Sequence, residues 1–351
     1  MDLEIAKTIQ EDLINGTLKS HCLQVIYELK IHEILNQNGG FMSSVDICKK
    51  IESKNIKPGY LQRLLRYMAC FDVVEERMNG KDVVFKATEV LKVHEITRGF
   101  LFTCLSPHLM ELLDVSTGEK PLFEHVCGCT IWNYMENKTN EHFKNIFTNT
   151  MEYLSAEVVR DVSKISGVIK NAMKESGVII DVGGGSGYMM EALKKELPHW
   201  DCINFDLPYV TERNRPLPGV EMVAGDMFKV GSIPKCDVIL TKNISNDWSD
   251  AKCIEMMRNF HSALNDDGML LSVNYFMPAP EDENRSWKIR SMDVNMMMVF
   301  GEARERTYAE FEDLHREAGF RLNKYVLIGP EDRQCGLLVA TKSNLNYRQK
   351  H

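Results

Sequence analysis

The stretch Val178-Ile179-Ile180-Asp181-Val182-Gly183-Gly184-Gly185-Ser186-Gly187 constrains the fold of this 351-residue chain more than any other segment. An apolar run with an acid in it opens into a glycine-rich turn, and YMMEALKKEL follows over 188–197 with helical spacing. Phe205-Asp206 lies 19 residues beyond Gly187. The order is strand, tight turn, helix and a second strand ending in a carboxylate. Such a unit builds a nucleoside pocket, in which glycines let the backbone approach the ligand and Asp206 accepts from ribose hydroxyls. The dinucleotide fingerprint wants glycine or alanine where Tyr188 stands, and no Gly-Lys-Ser/Thr follows to cradle phosphate. Asp181 ahead of the glycines therefore fits a ligand without pyrophosphate, such as S-adenosylmethionine. An ordinary βα turn is the competing reading, and the paired Asp206 weighs against it.

The pattern after residue 175 alternates. Strands are expected at 178–182, 202–206, 220–223, 237–241 and 269–274 with helices between, which is a parallel, doubly wound α/β sheet. A late pair, 321–328 and 335–341, is expected to close it as an antiparallel edge. Ligands sit at the carboxyl ends of such strands. The candidates there are Asp181, Gly183, Gly185, Asp206, Leu207, Asp226, Met227 and Lys242, followed by Asn246-Asp247-Trp248. Asp226 followed by Met227 suits an adenine amino group and ring face, with a helix N-cap as the competing reading of Asp226. Lys242 could meet a carboxylate or stand in solvent.

The first part of the chain reads differently. Helices are expected over 4–36, with Leu18, Cys22, Val25, Ile26 and Leu29 on one face, and over 44–52 and 58–70, the last starting at Pro58. An Asn79-Gly80 turn between Val73-Val74 and Val83–Phe85 is a hairpin signal. Three helices and a hairpin make a winged helix. YLQRLLRYMACF over 60–71 carries two arginines and much apolar surface, so dimerisation is expected rather than DNA binding. The net charge of −8 gives no general attraction to nucleic acid or an anionic membrane. No apolar run approaches transmembrane length. Ten scattered cysteines offer neither a disulfide framework nor a metal site, and a cytoplasmic location is expected. Residues 88–165 read as mostly helical. The expected domains are 1–160, a winged-helix dimerisation and substrate-lid domain, and 161–351, the cofactor-binding domain.

Together these motifs resemble the plant small-molecule O-methyltransferases of the caffeate, isoflavone and benzylisoquinoline type. The resemblance rests on Asp181–Gly187, Asn204-Phe-Asp-Leu-Pro208, Gly225-Asp-Met-Phe228, Asn246-Asp-Trp-Ser-Asp250, Glu305-Arg-Thr307 and Ile131-Trp-Asn-Tyr-Met135. It implies a class I methyltransferase fold with S-adenosyl-L-methionine as cofactor, a small-molecule substrate and a homodimer through the N-terminal domain. Trp132, Met135, Asp247, Trp248, Met292, Asn295 and Met296 are the candidate substrate-binding residues, the methionines because flexible thioethers line adaptable apolar pockets.

The departures from the family pattern concern proton handling. The family carries a histidine immediately before Asp-Trp, the general base, where this chain has Asn246. An acid that orients this histidine aligns with Asn274, while a glutamate before Arg-Thr is kept as Glu305. An asparagine can position or polarise a hydroxyl but takes no proton at neutral pH. A phenol has a pKa of about 10, so relying on its ionised fraction at pH 7 costs about 4 kcal/mol of barrier. His21, His32, His108, His125 and His315 are possible substitutes. Three readings stay open: methylation of an O or N acceptor that needs no strong base; a non-methylating reaction such as cyclisation, dehydration or isomerisation with the cofactor retained as an electrostatic element; and a silent partner in a heterodimer.

Overall fold

The computed structural model describes residues 3–51, 56–92, 105, 120–173, 175–278, 287–328 and 335–343. The chain divides into two compact units, Met1–Pro107 and His108–His351. The helices between 122 and 160 therefore group with the second unit, on the far side of the division expected at residue 160. His108 lies outside the described residues, as does much of the 88–165 segment.

In the first unit, helices α1 (Leu3–Glu28), α2 (Ile31–Asn38), α3 (Ser44–Lys50) and α4 (Pro58–Ala69) accompany strands β1 (Met42–Ser43), β2 (Val74–Asn79) and β3 (Asp82–Ala87). The strands form an antiparallel sheet in the order β1-β3-β2. Each start has a local cause. Ser43 caps α3 by accepting from the Asp46 N–H at 3.2 Å, and Pro58 opens α4. Gly80 takes the left-handed conformation, φ 63°, that the two-residue hairpin requires. Ile26, Ile31, Leu35, Ile47, Leu65 and Phe85 form the core. The predicted face of α1 is only partly inward: Ile26 and Leu29 are buried, whereas Leu18 is 52% exposed, as Tyr60 of α4 is at 65%.

The second unit begins with α5 (Leu122–Cys127), α6 (Ile131–Glu136), α7 (Glu141–Val159) and α8 (Val162–Ala172). Its sheet contains β4 (Val178–Val182), β5 (Asp201–Asp206), β6 (Val220–Ala224), β7 (Cys236–Lys242), β8 (Leu264–Tyr275), β9 (Phe320–Leu327) and β10 (Cys335–Lys342). The order is β6-β5-β4-β7-β8-β10-β9, parallel as far as β8, with β10 antiparallel to both neighbours. Successive residues of β4 serve opposite layers. Ile179 packs with Ile165, Ile169, Met190 and Leu193, while Ile180 and Val182 pack with Phe205, Phe260 and Leu270. Each such side chain contributes about 1.5–3 kcal/mol by leaving water.

The late pair closes the sheet as an antiparallel edge, as expected, with β9 at the rim and β10, buried along nearly its whole length, between β8 and β9. The uninterrupted Leu337-Leu338-Val339-Ala340 of β10 needs cover on both faces, whereas the half-polar β9 tolerates the rim. Strand β8 starts earlier than the expected residue 269, because Leu264 already pairs with Cys236.

Arg306 ties the loop beyond β7 to the body of this unit. It is fully buried. Its Nη1 donates to the Ser245 carbonyl at 2.5 Å and its Nη2 to the Trp248 carbonyl at 2.7 Å. Nε and Nη2 both reach Asp250 Oδ1, at 2.9 and 2.7 Å. Burial works to raise the Asp250 pKa, but Arg306 and Arg304 outweigh it and hold the carboxyl below its ordinary value. Arg306→Ala removes these donors at once, and its expected cost is about 2–4 kcal/mol of unfolding free energy. Asp250, lowered in the folded state, contributes above its unfolded pKa and loses that contribution as the pH falls through the folded value. The gap between wild type and variant should therefore narrow below about pH 4. Urea denaturation at pH 7 and pH 3.5 measures both; a change below about 0.5 kcal/mol at pH 7 would contradict this role for Arg306.

Candidate active site

Because β4 to β7 run parallel, their carboxyl ends bring the following loops to one edge of the sheet. A cavity of about 1020 Å³ opens there. Asp181, Gly183, Gly185, Asp206, Leu207, Asp226, Met227 and Lys242 all line it, as do Asp247, Trp248, Trp132 and Met135.

The glycine turn is held through its own backbone. Gly183 N–H donates to the Phe205 carbonyl at 2.8 Å, and Gly185 N–H donates to Asp206 Oδ2 at 2.8 Å. The Gly185 carbonyl accepts from Asn204 Nδ2 at 3.1 Å and Asn214 Nδ2 at 2.6 Å. A Cβ at Gly184 would collide with Asn204 Oδ1, so that position excludes any side chain. At Gly185, φ is 56° and a Cβ would meet nothing within 4 Å, leaving its cavity side open to a ligand.

Asp206 also accepts from Leu207 N–H at 2.7 Å. Burial raises its pKa and these two backbone donors oppose the rise. A carboxylate offers about four lone-pair sites, so two remain for hydroxyl groups. Asp226 uses Oδ1 to accept from Phe228 N–H at 2.9 Å, a local turn bond, while still lining the cavity. The buried Asp181 Oδ1 and Asn204 Oδ1 have no hydrogen-bond partner among the described residues.

The site is rich in carboxyl groups. Burial pushes Asp181 up to about 7, with Lys242 opposing and Asp206 reinforcing. Burial takes Asp247 to about 8, again against Lys242. Burial lowers Lys242, while Asp181, Cys335 and Asp247 pull the other way. A ligand with ribose hydroxyls and a positive centre complements this set, and the residues present fit S-adenosylmethionine on those grounds.

The proton-handling candidates lie deeper. Asn246, buried in the turn Ser245–Asp247, donates from Nδ2 to Glu305 Oε1 at 3.3 Å and lies 3.5 Å from Met296 Sδ. Burial pushes Glu305 up to about 8, with Asp247 and Asp293 adding to the rise. Asn274, in β8, is buried with its Nδ2 unpartnered among the described residues, as is Asn295 Oδ1. None of these four residues, nor Met292 or Met296, lines the cavity. Met292 packs in the core beside Ile289 and Tyr275.

No histidine among the described residues lines the cavity either. His315 is buried in the helix Tyr308–Glu317, donates from Nδ1 to the Phe311 carbonyl at 2.7 Å, and is held near a pKa of about 4 by burial. His21 is bonded to Thr17 within α1, and the His32 ring lies tilted against Tyr27 in the first unit, with centroids 4.4 Å apart.

Sequence reasoning missed Asn204 and Asn214, whose amides fix the Gly185 carbonyl. Asn204 did carry a signal, as a lone neutral polar residue inside the apolar run of β5. It also missed the α7 wall, where Lys144, Phe147, Thr148, Met151 and Ser155 line the cavity.

The comparisons with known proteins agree with this geometry. Residues 108–321 match the O-methyltransferase domain family, and residues 11–94 match the O-methyltransferase dimerisation domain. O-methyltransferase 16 of Lophophora williamsii is 30% identical over 332 residues, covering 88% of this chain and 86% of the relative. The solved structure of the mitomycin 7-O-methyltransferase MmcR superposes with a TM-score of 0.81 at 20% identity, covering 97% of this chain and 98% of that one. Human N-acetylserotonin methyltransferase, solved in complex with SAM, gives a TM-score of 0.79 at 18% identity, covering 98% and 99%. A sheet that gathers an acidic, glycine-floored cavity at its carboxyl edge, the family matches over 11–94 and 108–321 and the 30% identical relative lead to one conclusion: the chain belongs to the S-adenosylmethionine-dependent O-methyltransferases.

Proposed function

We propose that the protein transfers a methyl group to an O or N atom of a small aromatic or alkaloid-like specialised metabolite without a histidine base, working as a cytoplasmic homodimer. One observation carries this reading. The position before Asp247-Trp248 holds Asn246, whose amide is engaged by Glu305, and no histidine among the described residues lines the cavity. Bound S-adenosylmethionine supplies a methyl group made electrophilic by its sulfonium.

The residues divide that work. Asp206 takes the ribose hydroxyls on its remaining lone pairs, Asp226 and Met227 take the adenine edge and face, and Lys242 meets the carboxylate of the methionine moiety. Leu207 adds apolar contact. Trp132, Met135 and Trp248 give an aromatic acceptor flat, apolar walls. Trp132 is itself ordered by stacking on Phe300, with ring centroids 5.6 Å apart. Asn246, Asn274 and Glu305, with Asn295 and Met296, act from behind the cavity wall, none of them lining it. Dimerisation through residues 1–110 is supported by the dimerisation-domain match and by the apolar side chains that α1 and α4 leave in solvent.

Calorimetry with S-adenosylmethionine tests the ribose assignment: Asp206→Ala should weaken binding at least tenfold, and unchanged affinity would remove Asp206 from that role. Light scattering at micromolar concentration should give about twice the chain mass of 40.3 kDa; a monomer would contradict the dimer. The decisive assay is a metabolite screen with cofactor, read by mass spectrometry for the gain of one methyl group. A product of unchanged mass would favour a non-methylating reaction instead. The double variant Asn246→His, Asn274→Glu restores a base and its orienting acid beside Glu305. It should raise phenol methylation at pH 7 at least tenfold, whereas Asn246→His alone should not. A double variant no faster than wild type would show that the two amides are not what limits phenol chemistry.

A further inference from the structure

We propose that Asp247 is the proton acceptor of the reaction, occupying in this protein the role that a neutral Asn246 cannot fill. The inference rests on the methyl-transfer reading above and adds the residue that makes it chemically complete.

The geometry of one short turn carries it. Over Ser245–Asp247, Asn246 turns toward Glu305 and Met296 and is absent from the cavity wall, while Asp247 lines the cavity with Trp248. Arg306 holds the carbonyls on both sides of this pair, Ser245 and Trp248, so the turn presents the carboxyl on a fixed backbone. Such fixed placement is what proton transfer at hydrogen-bond distance demands.

Of the other acids lining the cavity, Asp181 is buried in β4 beside Gly184, where Lys242 and Asp206 act on it, and Glu141 and Glu152 stand on the α7 wall. Asp206 accepts two backbone N–H groups, which favour its ionised form and weaken it as a base. Asp226 is exposed and closes a local turn. Glu305 is bonded to Asn246 outside the cavity wall. Asp247 accepts no side-chain hydrogen bond from the described residues. The charged and titratable groups acting on it are Lys242 from β7, Glu305 ahead of the helix Tyr308–Glu317, and Cys253 from the helix Asp250–Ala263, with Asp181 reaching it through their shared Lys242. Burial raises its pKa to about 8 against the pull of Lys242, the range in which a carboxylate becomes a useful base near neutral pH.

The step balances. The acceptor O–H bond breaks toward an Asp247 carboxylate oxygen, which gains the proton. The acceptor oxygen forms its new bond to the methyl carbon with the freed lone pair. The electron pair of the broken methyl–sulfur bond stays on sulfur, so a carboxylate and a sulfonium become a neutral acid and a neutral thioether. The acid then returns its proton to water.

Guaiacol serves as the probe, because its hydroxyl titrates near the ordinary phenol value of about 10 and an inflection near 8 then belongs to the protein. In wild type, kcat/KM for guaiacol methylation should rise with pH through an inflection near 8 and level off. Asp247→Asn should lower it about a hundredfold and remove the inflection, and Asp247→Glu should keep the inflection with a smaller loss. Infrared titration of the protein without substrate gives a second readout. A protonated-carboxyl band should disappear between about pH 7 and 9, and Asp247→Asn should lose one carboxyl's share of it. An Asp247→Asn enzyme within threefold of wild type with its inflection intact overturns the assignment, as does an infrared band that the substitution leaves unchanged. Wild type that methylates nothing at any pH refutes the methyl-transfer reading itself, and the inference with it; this outcome is distinct, because no variant is needed to reach it.

Discussion

The peptide of Gly185 is the constraint on which the cofactor end of the site depends. A turn made of glycines has no side chains with which to hold its shape, so neighbouring strands and loops must hold it. Asp206 receives its N–H, and Asn204 and Asn214 donate to its carbonyl. The same carboxylate that fixes the turn is therefore aimed at the space the turn leaves open. On the proposed ribose role of Asp206, order in the protein and affinity for the ligand are not separable: a substitution there loosens the floor as well as removing an acceptor.

A second clamp holds the turn beyond β7. Arg306 is fully buried, and its charge is answered by Asp250 and by backbone carbonyls rather than by a group in the cavity. Had it faced the cavity, its guanidinium would have offset the acidity of the wall. Placed behind the turn, it stiffens Asn246-Asp247-Trp248 and leaves Lys242 as the cation acting on both Asp181 and Asp247. That arrangement leaves room for a positive ligand to improve the electrostatics of a site that is strained toward neutral carboxyl groups without it.

The parallel sheet was legible because its signals are local and strong. Apolar runs ended by Gly183–Gly187 and Asp206 set strand, turn and strand almost to the residue, and Asn79-Gly80 set the hairpin. The late antiparallel pair was legible as a pair, while the order of its two strands was left open, since pairing partners are chosen by tertiary packing. The cavity-lining residues at the strand ends could be named because topology dictates where they gather. The depth of Asn246, Asn274 and Glu305, and the place of Met292 in the core, could not, because these depend on side-chain direction in a turn and a helix rather than on position along the chain. Asn204 was visible in hindsight as an amide within an apolar strand, while the α7 wall left no periodic mark that separates lining from packing.

The position of β10 bears on the order in which the protein can be made. Strand β8, which carries Asn274, borders β7 on one side and β10 on the other. During synthesis β9 emerges before β10 yet has no direct partner in β8, so it cannot dock in register until residues 335–342 have left the ribosome. Until then β8 presents an unpaired edge, the kind of surface that invites pairing with a foreign strand. The second unit is thus completed late and at a stroke, and the nascent chain has reason to depend on chaperone cover until its central antiparallel strand arrives.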